Sequence, residues 1–317
     1  MIRAFAGNQS LFMVFIPMLF GLNILLHNFF NIPFLVDDYV FNLWGIDITT
    51  GYSGFDTFLV LFFISANALG INYIFNVHEF YERNTYLPAL IYTILVCFFP
   101  FSAEFGNTLM SQSFFICAIY FFIHIRQNEA AKSLLFNAGF FVALASSVQV
   151  AFFLLLPVMW IGVFSIRTFS FKELLISIFG FVTPYLWLWY FNPIFIEQFT
   201  SENYLQATTI YPYFSVPVFV FAFILIFIAY LGIRNRFLKS SVRFRRIMNM
   251  LATMFIYVSL VNILAVVYIH SYTYLAVGIP VLALVIPYAY IDNEKSSISA
   301  VILYLLMSMH FVKFLFG

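Results

Sequence analysis

The sequence predicts an all-α polytopic membrane protein, a bundle of about eleven transmembrane helices with the N-terminus in the cytoplasm and the C-terminus outside. Three observations predict it. The 317 residues are 64% hydrophobic and only 9% charged, with mean hydropathy +0.99, whereas a soluble domain carries about 25% charged residues. Apolar runs of about 20 residues, enough for a helix to cross a ~30 Å hydrocarbon core, recur along the chain. The 14 Lys and Arg are unevenly spread, and Arg234, Arg236, Lys239, Arg243, Arg245 and Arg246 fall in one short stretch, RNRFLKSSVRFRR. A transmembrane β-barrel would show alternating segments of ~10 residues, and the runs here are continuous.

Eleven apolar segments have approximate cores at 10–30, 56–76, 86–101, 109–125, 134–148, 150–166, 174–190, 213–233, 248–269, 273–290 and 298–315. The opening MIRAFAGNQS precedes the first of them without a small-residue cleavage site, so this span is expected to stay as an anchor. Placing Arg3 inside and alternating puts Arg3, Arg83, Arg126, Lys132, Arg167, Lys172, the six clustered residues and Lys295 in the cytoplasm, and only Lys313 outside. The acids divide evenly: Glu79, Glu82, Glu129, Glu173, Asp292 and Glu294 inside; Asp37, Asp38, Asp47, Asp56, Glu104, Glu197 and Glu202 outside. A basic bias with indifferent acids is the pattern of the positive-inside rule. The whole chain, 1–317, reads as one integral-membrane domain with no soluble domain.

The stretch 134–166 is short for two spans. At about 16 residues each, a helix reaches ~24 Å at 1.5 Å per residue, less than a ~30 Å core. The polar break Ser146-Ser147-Gln149 marks its middle. Two short helices or a re-entrant hairpin lining a cavity both fit. Ala66 and Gly70, and the row Gly139, Ala143 and Ser147, have the four-residue spacing of small residues that lets helices approach closely. The outer loops 31–55 and 191–212 mix acids with large apolar residues, and Phe191, Phe195 and Phe199 have helical spacing. Both loops are expected to hold short helices lying in the membrane interface. Cys97 and Cys117 fall inside predicted spans and read as buried free thiols.

Few residues offer chemistry. The adjacent carboxylates Asp37 and Asp38, just beyond the first span, suit a divalent cation or a general base; the plainer reading is that they keep an outer loop in water. Asn23 and His27 share a helix face near the outer end of the first span, and Gln149 and His270 fall at a similar depth. Such groups line a cavity or bond helices together. Ser65, Asn67, Asn72 and Asn76 make the second span unusually polar, which reads as a seam between helices. HEFYER, 78–83, mixes both charge signs and is expected to form local pairs at the inner surface. The basic cluster serves orientation and contact with anionic lipid headgroups, each basic residue contributing about 1 kcal/mol, or docks a partner. With net charge +1 and no binding fold, nucleic acid is excluded as a partner. No nucleotide-binding or hydrolase motif is present, and no recognised ligand spacing points to a bound metal.

HEFYERNTYLPALIYTIL (78–95) and LFNAGFFVALASSVQVAFFLLLPVMWIGVFSIRTFSFKELLISIFGFVTPY (135–185) resemble an uncharacterised family of polytopic inner-membrane proteins of Bacteroidota. That resemblance implies a location in the bacterial inner membrane and no particular activity. More distantly, the layout is similar to multi-span glycosyltransferases of the GT-C-like kind, which use polyprenyl-phosphate sugar donors at the outer face. This would map their first-loop acids onto Asp37 and Asp38 and their short hairpin helices onto 134–166. The chain departs from them in charge, because a lipid-linked phosphate outside calls for Arg or Lys and the outer face offers Lys313 alone.

Two functions follow as expectations. One is a scaffold or partner-binding subunit of an envelope complex, without catalysis or cofactor of its own, embedded in the bilayer with anionic lipids at its cytoplasmic face. The other is a GT-C-like glycosyltransferase with Asp37 or Asp38 as base or as ligand of a divalent cation.

Overall fold

The computed structural model describes residues 12–29, 42–44, 46–47, 53–78, 80–81, 83–97, 105–125, 131–166, 170–191, 212–237, 240–269, 273–291, 300–306 and 308. It is an all-α bundle. The helices are α1 (Phe12–Phe29), α2 (Ser53–Val77), α3 (Leu87–Cys97), α4 (Phe105–Ile123), α5 (Lys132–Val148), α6 (Leu155–Ile166), α7 (Phe171–Phe191), α8 (Pro212–Phe237), α9 (Val242–Ile269), α10 (Thr273–Val285) and α11 (Tyr288–Ile291). A 3-10 helix, Val150–Leu154, joins α5 to α6, and residues 300–306 are helical. Each of the eleven apolar segments thus contains helix, while the segment 273–290 is divided by a turn at Ile286-Pro287. Among the described residues, four stretches are long and apolar enough to cross a membrane: Thr57–Val77, Gly106–Ile123, Phe171–Phe191 and Val242–Val261.

Side-chain contacts fix the relative direction of several helices. Along α2 and α4, Asn67 meets Leu109 and Ser113, Tyr73 faces Tyr120, and His78 just past α2 meets His124 just past α4, so these two run parallel. Phe121 stacks on Phe141 and Phe115 faces Phe152, so α4 and α5 run antiparallel. The bundle core lies between these helices, where Phe75, Tyr92, Phe115, Phe122, Phe152 and Tyr288 are all fully buried.

The closest helix crossing involves two glycines. A Cβ on Gly139 of α5 would overlap the carbonyl oxygen of Ser177, and one on Gly180 of α7 would overlap that of Phe136. Only hydrogen in place of a side chain lets the two backbones touch, which maximises dispersion contact where lipid supplies no hydrophobic drive. Ser146 adds a hydrogen bond to Tyr185 at 2.8 Å. The small-residue row on α5 therefore packs within the chain. On α2, Gly70 approaches Ile116 while Ala66 is exposed.

Two expectations are corrected. In the loop 31–55, where an interfacial helix is expected, Asn42–Leu43 instead pairs antiparallel with Ile46–Asp47, and residues 31–41 lie outside the described residues. Trp44 explains it, because its φ of 56° lies in the left-handed region that tight hairpin turns use and a helix does not. Cys117 is exposed on α4, and only Cys97 is buried. The proposed helix at 191–212 lies outside the described residues beyond Phe191.

Candidate functional site

One end of the bundle is assembled from HEFYER and the basic stretch, two segments far apart in sequence. Asn76 begins the loop at 78–86 by bonding the backbone of Thr85 twice: its Nδ2 donates to the Thr85 carbonyl at 3.2 Å and its Oδ1 accepts from the Thr85 N–H at 3.1 Å. This closes the loop and turns Phe80 inward, where it is fully buried against Phe75, while its carbonyl accepts the Tyr288 hydroxyl at 2.8 Å. The basic stretch does not stay extended. Arg234 and Arg236 form the last turn of α8, where positive charge opposes the negative end of the helix dipole. Ser241 then starts α9, its Oγ accepting the Phe244 N–H at 3.2 Å as an N-cap. Arg243, Arg245 and Arg246 follow in the first turns of α9, next to the positive end of its dipole, with no acid in that turn.

These arginines meet the HEFYER loop directly. The Arg236 guanidinium lies 5.3 Å from the centre of the Tyr81 ring and 5.6 Å from that of Phe244, a cation–π bracket. Arg243 lies 3.3 Å from Nδ1 of His78. His78 in turn sits edge-on to His124 at 4.5 Å between ring centres, and Nδ1 of His124 lies 3.0 Å from the Tyr120 carbonyl. Burial, His124 and Arg243, in that order, pull the His78 pKa from 6.5 down to about 4. HEFYER thus makes long-range contacts with α4, α8 and α9, while Glu79 and Glu82, on which the expected local pairs depend, lie outside the described residues. Lys239 lies outside the described residues.

Toward the other end, the break between α5 and α6 is polar. Gln149 is extended (φ −140°, ψ 115°) between α5 and the 3-10 turn. Ser147 Oγ accepts the Trp44 indole N–H at 2.9 Å and donates to the Leu144 carbonyl at 2.8 Å. The segment between α1 and α2 is therefore fastened to the helix break by Trp44, six residues after Asp38. Gln149 is 7% exposed, and neither polar atom of its amide has a hydrogen-bond partner. Asn23 and His27 lie on α1, but their side chains are outside the described residues, as are Asp37, Asp38 and His270.

Deeper in the bundle, Asn67 joins three helices. Its Nδ2 donates to the Tyr92 hydroxyl at 3.0 Å and to the Leu109 carbonyl at 2.9 Å, and its Oδ1 accepts from Ser113 at 2.7 Å. Tyr92 donates onward to Gln112 at 2.5 Å. The polar seam read on the second span is present at Asn67, with Tyr92 and Gln112 as partners that no local spacing marks. Among the described residues no group of three or more His, Cys, Asp or Glu is placed to hold a metal ion. Comparison with protein-family models, curated proteins and solved structures finds no match for the chain.

Proposed function

We propose that the chain is a scaffold or partner-binding subunit of a bacterial envelope complex, held in the inner membrane by about eleven spans with the N-terminus inside. The Asn67–Tyr92–Gln112–Ser113 network is the observation that carries this reading. Side chains able to do chemistry in the middle of the bundle are spent on joining α2, α3 and α4. Such bonds contribute about 0.6 kcal/mol each within a membrane, and together with the glycine crossing they favour one rigid arrangement suited to presenting surfaces. The relative directions of α2, α4 and α5 support the topology. The basic residues of α8 and α9, clustered at one end, support contact between that end and anionic lipid at the cytoplasmic face.

A specific observation keeps the glycosyltransferase as a second reading. The Trp44–Ser147 bond ties the loop that carries Asp37 and Asp38 to the α5–α6 break, as an outer-face site for a lipid-linked sugar would need. Replacing both acids, Asp37→Asn with Asp38→Asn, separates the two. Under the scaffold reading, partner capture and the cellular phenotype persist at normal protein level; loss of function at normal level supports the transferase.

A further inference from the structure

The HEFYER end of the bundle holds a grouping of donors that neither orientation nor helix packing requires. His78, His124 and Arg243 come from three separate segments and touch in a chain, with α9 beginning at Val242 beside them. Their proton positions follow from chemistry. A guanidinium only donates, so Nδ1 of His78 accepts from Arg243 and its proton sits on Nε2. That Nε2 is enclosed and has no hydrogen-bond partner. The Tyr120 carbonyl only accepts, so His124 commits its Nδ1 proton there, and its Nε2 donates to an anion in the imidazolium form, in which both ring nitrogens carry a proton. Nε of Arg245 is likewise enclosed with no partner. Arg243 and Arg245 stand in the first turns of α9, where the helix dipole favours an anion.

An anion supplies the acceptor that the enclosed donors of His78 and Arg245 lack. We propose that His78, His124 and Arg243, at the N-terminus of α9, form a binding site for a phosphate group. Phosphate fits because its several oxygens accept simultaneously from a guanidinium fork, imidazole N–H groups and backbone N–H groups at a helix start. The phosphate is that of an anionic lipid headgroup or a soluble phosphate. The site itself depends only on these contacts; the cytoplasmic-face reading bears on the source alone, and the scaffold reading can fail without affecting it.

The test uses the full-length protein, stripped of lipid in an uncharged detergent. Inorganic phosphate is titrated and followed by phosphorus NMR, and the protein is then exchanged into phosphatidylcholine nanodiscs with and without phosphatidylglycerol. Wild type is expected to bind phosphate saturably. The pair His78→Gln with Arg243→Gln should weaken binding by about tenfold or more, as expected for two lost charge-assisted hydrogen bonds, while Lys172→Gln, at an exposed position on α7 outside the basic cluster, leaves it unchanged. Competition by phosphatidylglycerol identifies a lipid headgroup as the occupant, and its failure to compete identifies a soluble phosphate. No saturable binding in wild type, or an equal loss in Lys172→Gln, overturns the site. Because the pair also holds the HEFYER loop, melting is recorded for each protein. Should the pair unfold, His124→Phe, which keeps an aromatic ring beside Tyr120 but has no ring nitrogen, is expected to weaken binding several-fold, and wild-type affinity in it overturns the proposal.

Discussion

His78 is held as a neutral imidazole against a guanidinium and a second imidazole, which makes stability at this end of the bundle depend on pH. Its pKa falls from 6.5 in the unfolded chain to about 4 in the fold, so the fold favours the neutral form. That contribution is fully present above pH 6.5 and is lost as pH falls from 6.5 toward 4. In phosphate-free buffer the melting temperature is expected to drop across this window, and His78→Gln to flatten the drop; an identical pH profile in the variant contradicts it. At Trp44, replacement by Phe keeps the ring but removes the bond to Ser147, costing about 1 kcal/mol. Faster proteolysis within residues 31–55 is the expected readout. Neither residue stood out in the sequence. His78 lay in a mixed-charge loop whose partner is Arg243, 165 positions away, and Trp44 looked like one apolar residue of an interfacial helix until the left-handed backbone at that position turned the chain into a hairpin. Gln149 was legible because a polar residue between two apolar runs is conspicuous at any register.

At the level of elements, the helices were read correctly as to existence because sustained apolar runs leave few alternatives in a chain with so few charges. The Gly139–Ala143–Ser147 row announced a close crossing, but its partner did not: Ser177 and Gly180 are three apart, off the four-residue pattern, and only the fold brings Gly180 onto Phe136. Gly139→Val is expected to force α5 and α7 apart at a cost of about 1–3 kcal/mol or more, seen as a lower unfolding midpoint in mild detergent. Ala66→Val, at an exposed position on α2, serves as the neutral comparison. Tyr92→Phe removes the donor to Gln112 and should cost on the order of 1 kcal/mol, less than the glycine change, because the remaining bonds of Asn67 survive. A larger loss from Tyr92→Phe than from Gly139→Val would mean that hydrogen bonds outweigh backbone approach in this bundle. The α5–α6 junction has the short helices that both readings of 134–166 expect. A 3-10 turn and an extended Gln149 separate two short helices, Lys132–Val148 and Leu155–Ile166.

For the whole molecule, charge asymmetry and helix direction point the same way. The end carrying His78, His124 and the arginines of α8 and α9 is the end that the charge rule assigns to the cytoplasm, and the Trp44 hairpin belongs to the opposite side. The expected orientation rests on counting charges along the chain. The polar network was not legible, since Asn67, Tyr92 and Gln112 acquire their meaning only from one another. Native mass spectrometry of the full-length protein, extracted gently with its own lipids, tests the scaffold reading most directly. The account predicts a second polypeptide in fixed stoichiometry, retained in the Asp37→Asn, Asp38→Asn variant. A protein released alone, carrying a polyprenyl-phosphate lipid that the same two substitutions dislodge, would contradict it and make the chain a transferase.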